Sequence, residues 1–535
     1  MKILIFLAIL VFAVYTIALP NEFLSDDIPA IVQNPKINQV GYFLGPQFFP
    51  LHFNPHNFFI FLTYKIFGLN PLFFRLSNVI FHLGVVFMIY LISGLFFLPP
   101  IPLFSASLFA VHPILTEAVT WISSGTYVKT AFLLMFSLLC WLIWSKNQRF
   151  WLYLLSLTNF FLALLFFERV IWFPAVLVFW ELCFGNLKKA TKFLFPYFLL
   201  VFWWITYLLG LTSQRLTTLE TVYYQQPGLD NPFIKIPIAV TSYLELIFWP
   251  KNLTFYHSEL AYTQTEYILR VIGFLLFLGL IFYFFKKERR LAFWLTFFLL
   301  TLSPTLTPLR IAWAVAERYV YLGTVGILIF AAFLIQKIGK KIKNQKFSWI
   351  ILGILIFALS LRTLIRNLDW RNQDTLWLAT AKTSPSSPQN HNNLGDLYVR
   401  RGEYQKAVEE FKKAIELKPN YADAYHNLAN IYHQLGKNDL AEENYKKALE
   451  FNPFLWQSHQ NLAAIFFNQG KTREALEELK KAIEIFPQNP ELYVNLGIIY
   501  QKLNQKEEAL KAWQKSLSLD PQNQNAKWLL IQYSP

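Results

Sequence analysis

Cysteine is nearly missing from this chain. Cys140 and Cys183 are the two in 535 residues, and both lie inside apolar runs, so neither a disulfide framework nor a thiolate metal site is expected. Charge is sparse as well, at 15% of residues, while 55% are hydrophobic and 54 are Phe, a balance that belongs in lipid and not in an ordinary soluble domain. Acid is scarcer than base. Residues 388–535 carry 18 basic and 18 acidic side chains, so the whole formal charge of +15 falls in residues 1–387. That placement is a membrane-orientation signal and excludes a nucleic-acid reading of the basic pI.

What the chain does have is a succession of apolar runs long enough to cross a bilayer: 2–19, 71–97, 101–117, 125–145, 150–167, 169–184, 193–211, 266–285, 291–309, 318–335 and 347–365. The first reads as a retained span and not as a cleaved signal, because it lacks a small-x-small cleavage site. Connectors Lys146–Arg149, Lys188–Lys192, Lys286–Arg290 and Lys337–Lys346 hold 14 basic residues against the single acid Glu288, which places them in the cytoplasm. Ile236–Trp249 is short and bounded by prolines, and is expected to be re-entrant or interfacial. About 11 crossings then leave the N-terminus inside and the C-terminal part outside, in the periplasm or exterior of a bacterium or the endoplasmic reticulum lumen of a eukaryote. Asp26, Asp27, Glu117, Glu168 and Glu317 all fall at outer span ends, beside Arg169, Arg310 and Arg318. Acids at helix ends are ordinarily caps, but five on one face read as a polar cavity, since ionisable groups in membrane segments are costly.

A shift of 34 residues superimposes the C-terminal part on itself. Asn393-Leu394-Gly395 aligns with Asn427-Leu428-Ala429, Asn461-Leu462-Ala463 and Asn495-Leu496-Gly497, and Pro419, Pro453, Pro487 and Pro521 close each unit. This is the tetratricopeptide pattern, giving repeats 388–421, 422–455, 456–489 and 490–523 and a capping tail at 524–535. The expected class is all-α: a polytopic membrane domain over 1–370, a linker over 371–387, and an α-solenoid with a concave, protein-binding groove. The asparagine ladder Asn393, Asn427, Asn461 and Asn495 resembles that of the nucleocytoplasmic O-linked N-acetylglucosamine transferase, where such amides grip an acceptor backbone. The alternative is that these residues pack helix against helix.

Several ordered blocks carry a wider resemblance: Phe23-Leu-Ser-Asp-Asp-Ile-Pro-Ala-Ile-Val-Gln-Asn-Pro35, Gly68-Leu-Asn-Pro71 leading to Asn78 and His82, Phe109-Ala-Val-His-Pro-Ile114 with Thr116-Glu-Ala-Val119, Ala316-Glu-Arg-Tyr-Val-Tyr-Leu322, and Trp370-Arg371. Together with the repeats they resemble the transmembrane and tetratricopeptide-repeat-containing O-mannosyltransferases. The resemblance implies a GT-C fold and a membrane glycosyltransferase that moves a sugar, mannose in the family, from a polyprenyl or dolichyl phosphate to Ser or Thr hydroxyls on the non-cytoplasmic side. By that carry-over Asp26 or Asp27 is the general base. Arg318 meets the lipid phosphate, oriented by Glu317. His112 and Glu117 shape the sugar or acceptor pocket on the donor side, with a helix-end turn at His112-Pro113 as the equal alternative for His112; Arg169 joins the donor-binding set, and the Asn ladder binds the acceptor. The partners implied are the lipid-linked sugar, an acceptor protein and membrane lipid.

An alternative role for the pair Asp26 and Asp27 is to hold a divalent cation, since two carboxylates and a phosphate are suitable oxygen ligands; no His or Cys cluster argues for zinc. The family's Tyr-Arg-Pro stands here as Phe53-Asn54-Pro55, and a second histidine found after His-Pro is Leu115. Lys65 and Arg75 are candidates to replace the missing arginine, or are residues snorkelling to the interface. Two other readings remain: the same fold acting on a glycan or lipid acceptor, and a non-catalytic membrane scaffold.

Overall fold

The computed structural model describes residues 1–45, 53–209, 231–307 and 313–533, with the side chains of Glu168 and Leu208 excepted; Arg310 lies outside the described residues. Apart from one bridge between Leu44 and Phe53, regular structure in the described residues is helical. Two compact units divide at Ser384 and Pro385.

The first unit contains α1 (Lys2–Tyr15), α2 (Pro55–Phe67), α3 (Pro71–Phe96), α4 (Ile101–Ala110), α5 (Thr116–Thr120), α6 (Gly125–Asn147), α7 (Phe150–Phe166), α8 (Phe173–Phe184), α9 (Leu187–Leu209), α10 (Pro232–Phe248), α11 (Gln264–Lys287), α12 (Arg289–Leu302), α13 (Thr324–Lys341), α14 (Gln345–Asp369) and α15 (Gln373–Thr383). Every expected apolar run contains a helix. Five helices, α3, α6, α9, α11 and α14, are long and apolar enough to cross a membrane, or six spans if the pair Ile101–Ala110 and Pro113–Thr120, bent by 52°, counts as one. The shorter members have physical causes. Pro113 cannot continue the hydrogen-bond ladder of α4, and α8 and α12, with 12 and 14 residues, rise only about 18–21 Å against a hydrocarbon core of about 30 Å. Phe104, Trp141 and Trp294 are fully buried in the core that these helices share.

Residues 371–387, expected as a linker, contain α15, whose Leu376 and Trp377 are buried within the first unit. The second unit is four helix pairs and a last helix: α16 (Pro388–Arg400) with α17 (Tyr404–Leu417), α18 (Ala422–Gln434) with α19 (Asn438–Phe451), α20 (Trp456–Asn468) with α21 (Thr472–Ile485), α22 (Pro490–Lys502) with α23 (Lys506–Leu519), then α24 (Gln524–Tyr533). Close approach within each pair is set by one complementary position. A Cβ on Gly395 would stand 2.4 Å from the Phe411 ring, and one on Gly497 only 2.2 Å from Trp513. The middle pairs carry Ala429 and Ala463 there, opposite Tyr445 and Leu479. Each pair turns through a left-handed residue, Gly402, Gly436 and Gly470, and Asn504 in the fourth.

Candidate functional site

The acid pair at 26–27 sits on a loop between α1 and α2, and its two carboxylates have separate fates. Ser25 adopts φ +48°, a kink that sends its successors apart. Asp27 is fully buried. Its Oδ1 accepts from the Ser123 amide at 2.9 Å and the Ser123 hydroxyl at 2.5 Å, and its Oδ2 accepts from the Leu24 amide at 3.1 Å. Burial raises this carboxyl to about 6, against the pull of these hydrogen bonds and of Arg75. Asp26 is exposed; the protein around it raises its carboxyl above the usual range, and the Arg318 charge opposes that shift. Asp27 is thus held by protein donors, and Asp26 is the exposed member of the pair.

Arg75, considered as a replacement for the missing arginine, is buried and spent on backbone. It donates to the carbonyls of Leu19, Asn21, Glu22 and Thr120, which ties the acidic loop to the end of α5. Lys65 is exposed, over the Phe61 ring. Trp121 reinforces the tie by donating to the Leu24 carbonyl at 3.4 Å, and Asn21 donates to the carbonyls of Asn367 and Trp370. Asn78 and His82 do related scaffold work from α3. The Asn78 amide donates to the carbonyls of Val119 and Trp121, and His82 meets the Tyr321 hydroxyl at 2.7 Å.

Arg318 is anchored by Glu117. One carboxylate oxygen of Glu117 accepts from the Arg318 backbone amide at 2.9 Å and the other from its guanidinium. The expectation that Glu317 orients Arg318 is corrected. Residues 317–320 form a 3-10 turn, in which neighbouring side chains diverge. Glu317 points instead to Arg366 at 3.2 Å, the Thr254 amide at 2.5 Å and His257 at 3.7 Å. His112 takes the alternative role of a helix-end turn. It caps the turn after α4, its Nδ1 accepting from the Ile114 amide and its Nε2 donating to the Ile247 carbonyl at 2.9 Å, so both ring nitrogens are used.

Arg169 and Arg318 line one cleft of about 480 Å³, open mouth included, with Tyr127, Thr130, Trp172 and Tyr319. Both guanidinium groups lie over the Tyr319 ring, at 4.4 and 5.0 Å. Arg318, held by Glu117, and Arg169 thus present two guanidinium groups on one wall of the cleft, a group whose geometry matches phosphate oxygens. Among the described residues no group of three His, Cys, Asp or Glu side chains could hold a metal ion.

In the second unit the asparagine ladder is partly absorbed by the solenoid. Asn427 donates to Asn392 at 3.1 Å, and Asn461 donates to Asn430 at 2.9 Å and to the Tyr445 hydroxyl at 3.1 Å. Their amide hydrogens join one repeat to the next, and both amide donors of Asn461 are taken by the preceding repeat. Asn393 and Asn495 are half-buried at the equivalent positions.

Sequence reasoning passed over Ser123, Trp121, Arg366 and the clamp made by Arg75. The two arginines carried a signal, since an arginine within an apolar helix must find internal partners. Ser123 carried none.

Comparison with known proteins matches tetratricopeptide-repeat families, one described as "TPR repeat" over residues 395–436 and 463–504, and the other as "Tetratricopeptide repeat" over 422–455 and 490–523. A mouse relative, "Protein O-mannosyl-transferase TMTC3", is 32% identical over 110 residues, which is 21% of this chain and 12% of that protein. "Protein O-mannosyl-transferase F38B6.6" of Caenorhabditis elegans is 24% identical over 442 residues, 76% of this chain and 61% of the relative. The chain thus matches only about an eighth of the length of the first of these. Among solved structures, MamA is 23% identical with a TM-score of 0.26, covering 27% of this chain and 85% of MamA.

Proposed function

From the premise that this chain is a relative of the tetratricopeptide-repeat-bearing protein O-mannosyl-transferases, we propose that its membrane unit is an inverting glycosyltransferase. It moves one sugar, mannose by kinship, from a polyprenyl or dolichyl phosphate to a Ser or Thr hydroxyl on the non-cytoplasmic side. The observation that carries this reading is the division of labour in the acid pair: Asp27 docks the loop, and Asp26 is left exposed within the influence of Arg318. Asp26 takes the proton of the acceptor hydroxyl as its oxygen attacks the anomeric carbon. The bond from that carbon to the phosphate oxygen breaks on the opposite face, and Arg318 and Arg169 stabilise the departing lipid phosphate. Glu117 holds Arg318 in place for that task. A divalent cation, where one takes part, would rest on Asp26 and substrate oxygens, because Asp27 has its protein donors. The repeats recruit the acceptor protein.

The test is transfer of radiolabelled mannose from polyprenyl-phosphate mannose to a Ser/Thr-rich peptide pool by the purified protein. Asp26→Asn should lower transfer by about 10²–10⁴-fold, the usual weight of a general base, without lowering thermal stability. Absence of transfer from any lipid-phosphate sugar by well-folded wild type would sink the proposal and favour a scaffold. The internal use of Asn427 and Asn461 favours one second reading, an acceptor that is a glycan or lipid. Under it, transfer to such an acceptor is unaffected by removal of residues 385–535.

A further inference from the structure

On the basic face of the membrane unit, away from the cleft described above, the ends of α6 and α8 and the start of α9 border an open cavity of about 1920 Å³, open mouth included. Lys188, Lys189 and Lys192 line it together with Trp144, Phe193 and Phe195. None of the three lysines has an ion pair among the described residues. The acid of this cavity, Glu181, is spent on chain closure, accepting from the Trp141 indole at 3.0 Å and the Asn186 amide at 3.1 Å.

The lysines also stand where a helix least favours them. They occupy the first turns of α9, which has no acid in its first turn, and the N-terminal end of a helix is already positive. The comparably basic end of α13, with Lys340 and Lys341 in its last turn, has the opposite and favourable polarity. A charge rule for connectors explains basic residues in both places. It does not explain three uncompensated ammonium groups gathered around an aromatic-walled cavity at a helix N-terminus.

We propose that this cavity binds the headgroup of an anionic phospholipid. The phosphate would sit among Lys188, Lys189 and Lys192, and an acyl chain would run along Phe195, which is 59% exposed on the side of the helix. A juxtamembrane basic cluster attracts anionic lipid in this way, with a gain that grows with each lysine near the surface.

The experiment reconstitutes the full chain in phosphatidylcholine nanodiscs containing phosphatidylglycerol, then quantifies by mass spectrometry the lipid retained after detergent exchange. Wild type should retain phosphatidylglycerol over phosphatidylcholine. The triple variant Lys188→Gln, Lys189→Gln, Lys192→Gln should lose that preference by at least about tenfold. Thr191→Trp, which obstructs the cavity mouth and keeps every lysine, should lose it too, and stands in for the triple variant if that one does not fold. The triple variant Lys337→Gln, Lys340→Gln, Lys341→Gln removes the same charge elsewhere and should keep the preference. Equal loss in this control would reduce the effect to diffuse surface charge and overturn the proposal. So would unchanged retention in the cavity variants, or displacement of the lipid by millimolar inorganic phosphate, which would mark a site for a free anion.

Discussion

Replacing Asp27 by Asn should remove a pH dependence from the docking of the acidic loop. The wild-type carboxyl titrates at about 6 in the folded protein against an ordinary value of 3.8. A folded-state value raised in this way means that docking is strongest below about pH 4 and weakens as pH rises through 6. At about 1.36 kcal/mol per pH unit, the difference amounts to about 3 kcal/mol, or roughly a hundredfold in the docking equilibrium. Asn keeps an acceptor for Ser123 but turns an amide donor towards the Leu24 N–H. That costs about 1–3 kcal/mol at every pH and adds no slope. Amide hydrogen exchange of Leu24 and Ser123, corrected for intrinsic rate, reads the equilibrium directly, since both amides donate to Asp27. Between pH 4 and 7.5 their protection should fall about a hundredfold in wild type and stay nearly level in Asp27→Asn. Parallel curves for the two proteins would refute the assignment of Asp27 as the buried docking acid.

Other outcomes follow from the same geometry. Arg75→Met leaves four backbone carbonyls without their donor, each costing about 1–3 kcal/mol where it stays unsatisfied, and should lower the melting temperature measured by fluorescence-detected size exclusion by the equivalent of about 3–5 kcal/mol in all. Glu117→Gln should cost a similar amount by stranding Arg318, and Glu117→Gln with Arg318→Gln should recover melting temperature while sugar transfer stays lost. Gly497→Ala forces a methyl into Trp513 and should destabilise the repeats by about 1–3 kcal/mol in urea denaturation; adding Trp513→Leu, the pairing of Ala463 with Leu479, should relieve most of that. Asn504→Gly should raise stability slightly, by less than about 1 kcal/mol, because residue 504 is left-handed at φ +61°.

The repeats were legible because each is specified by residues within 34 positions of its neighbour, down to the choice of Gly or Ala opposite a ring. The membrane helices were legible as apolar runs, but their breaks at Pro113 and after Leu302 were not, since hydropathy continues where the hydrogen-bond ladder stops. At the candidate site, Asp26, Arg318 and Arg169 were singled out by residue type and by their place at span ends. The distinction between Asp26 and Asp27 was not, because it depends on the turn at Ser25 and on a serine 96 positions away. Glu317 misled for the same reason: its partner Arg366 is 49 residues distant, and adjacency in sequence suggested Arg318. The asparagine ladder shows the converse, a periodic pattern that local reasoning finds easily and whose use only packing decides.

The clamp made by Arg75 has a consequence for how such a loop changes over generations. Its bonds go to the carbonyls of residues 19, 21 and 22, which every amino acid supplies, so substitutions at those positions leave the grip intact. Insertion or deletion between residues 19 and 27 would instead move the carbonyls off the guanidinium and carry Asp26 with them. Selection on this stretch acts on spacing more than on spelling, and distant relatives should preserve the count of residues between the clamp and the acid long after the letters between have drifted.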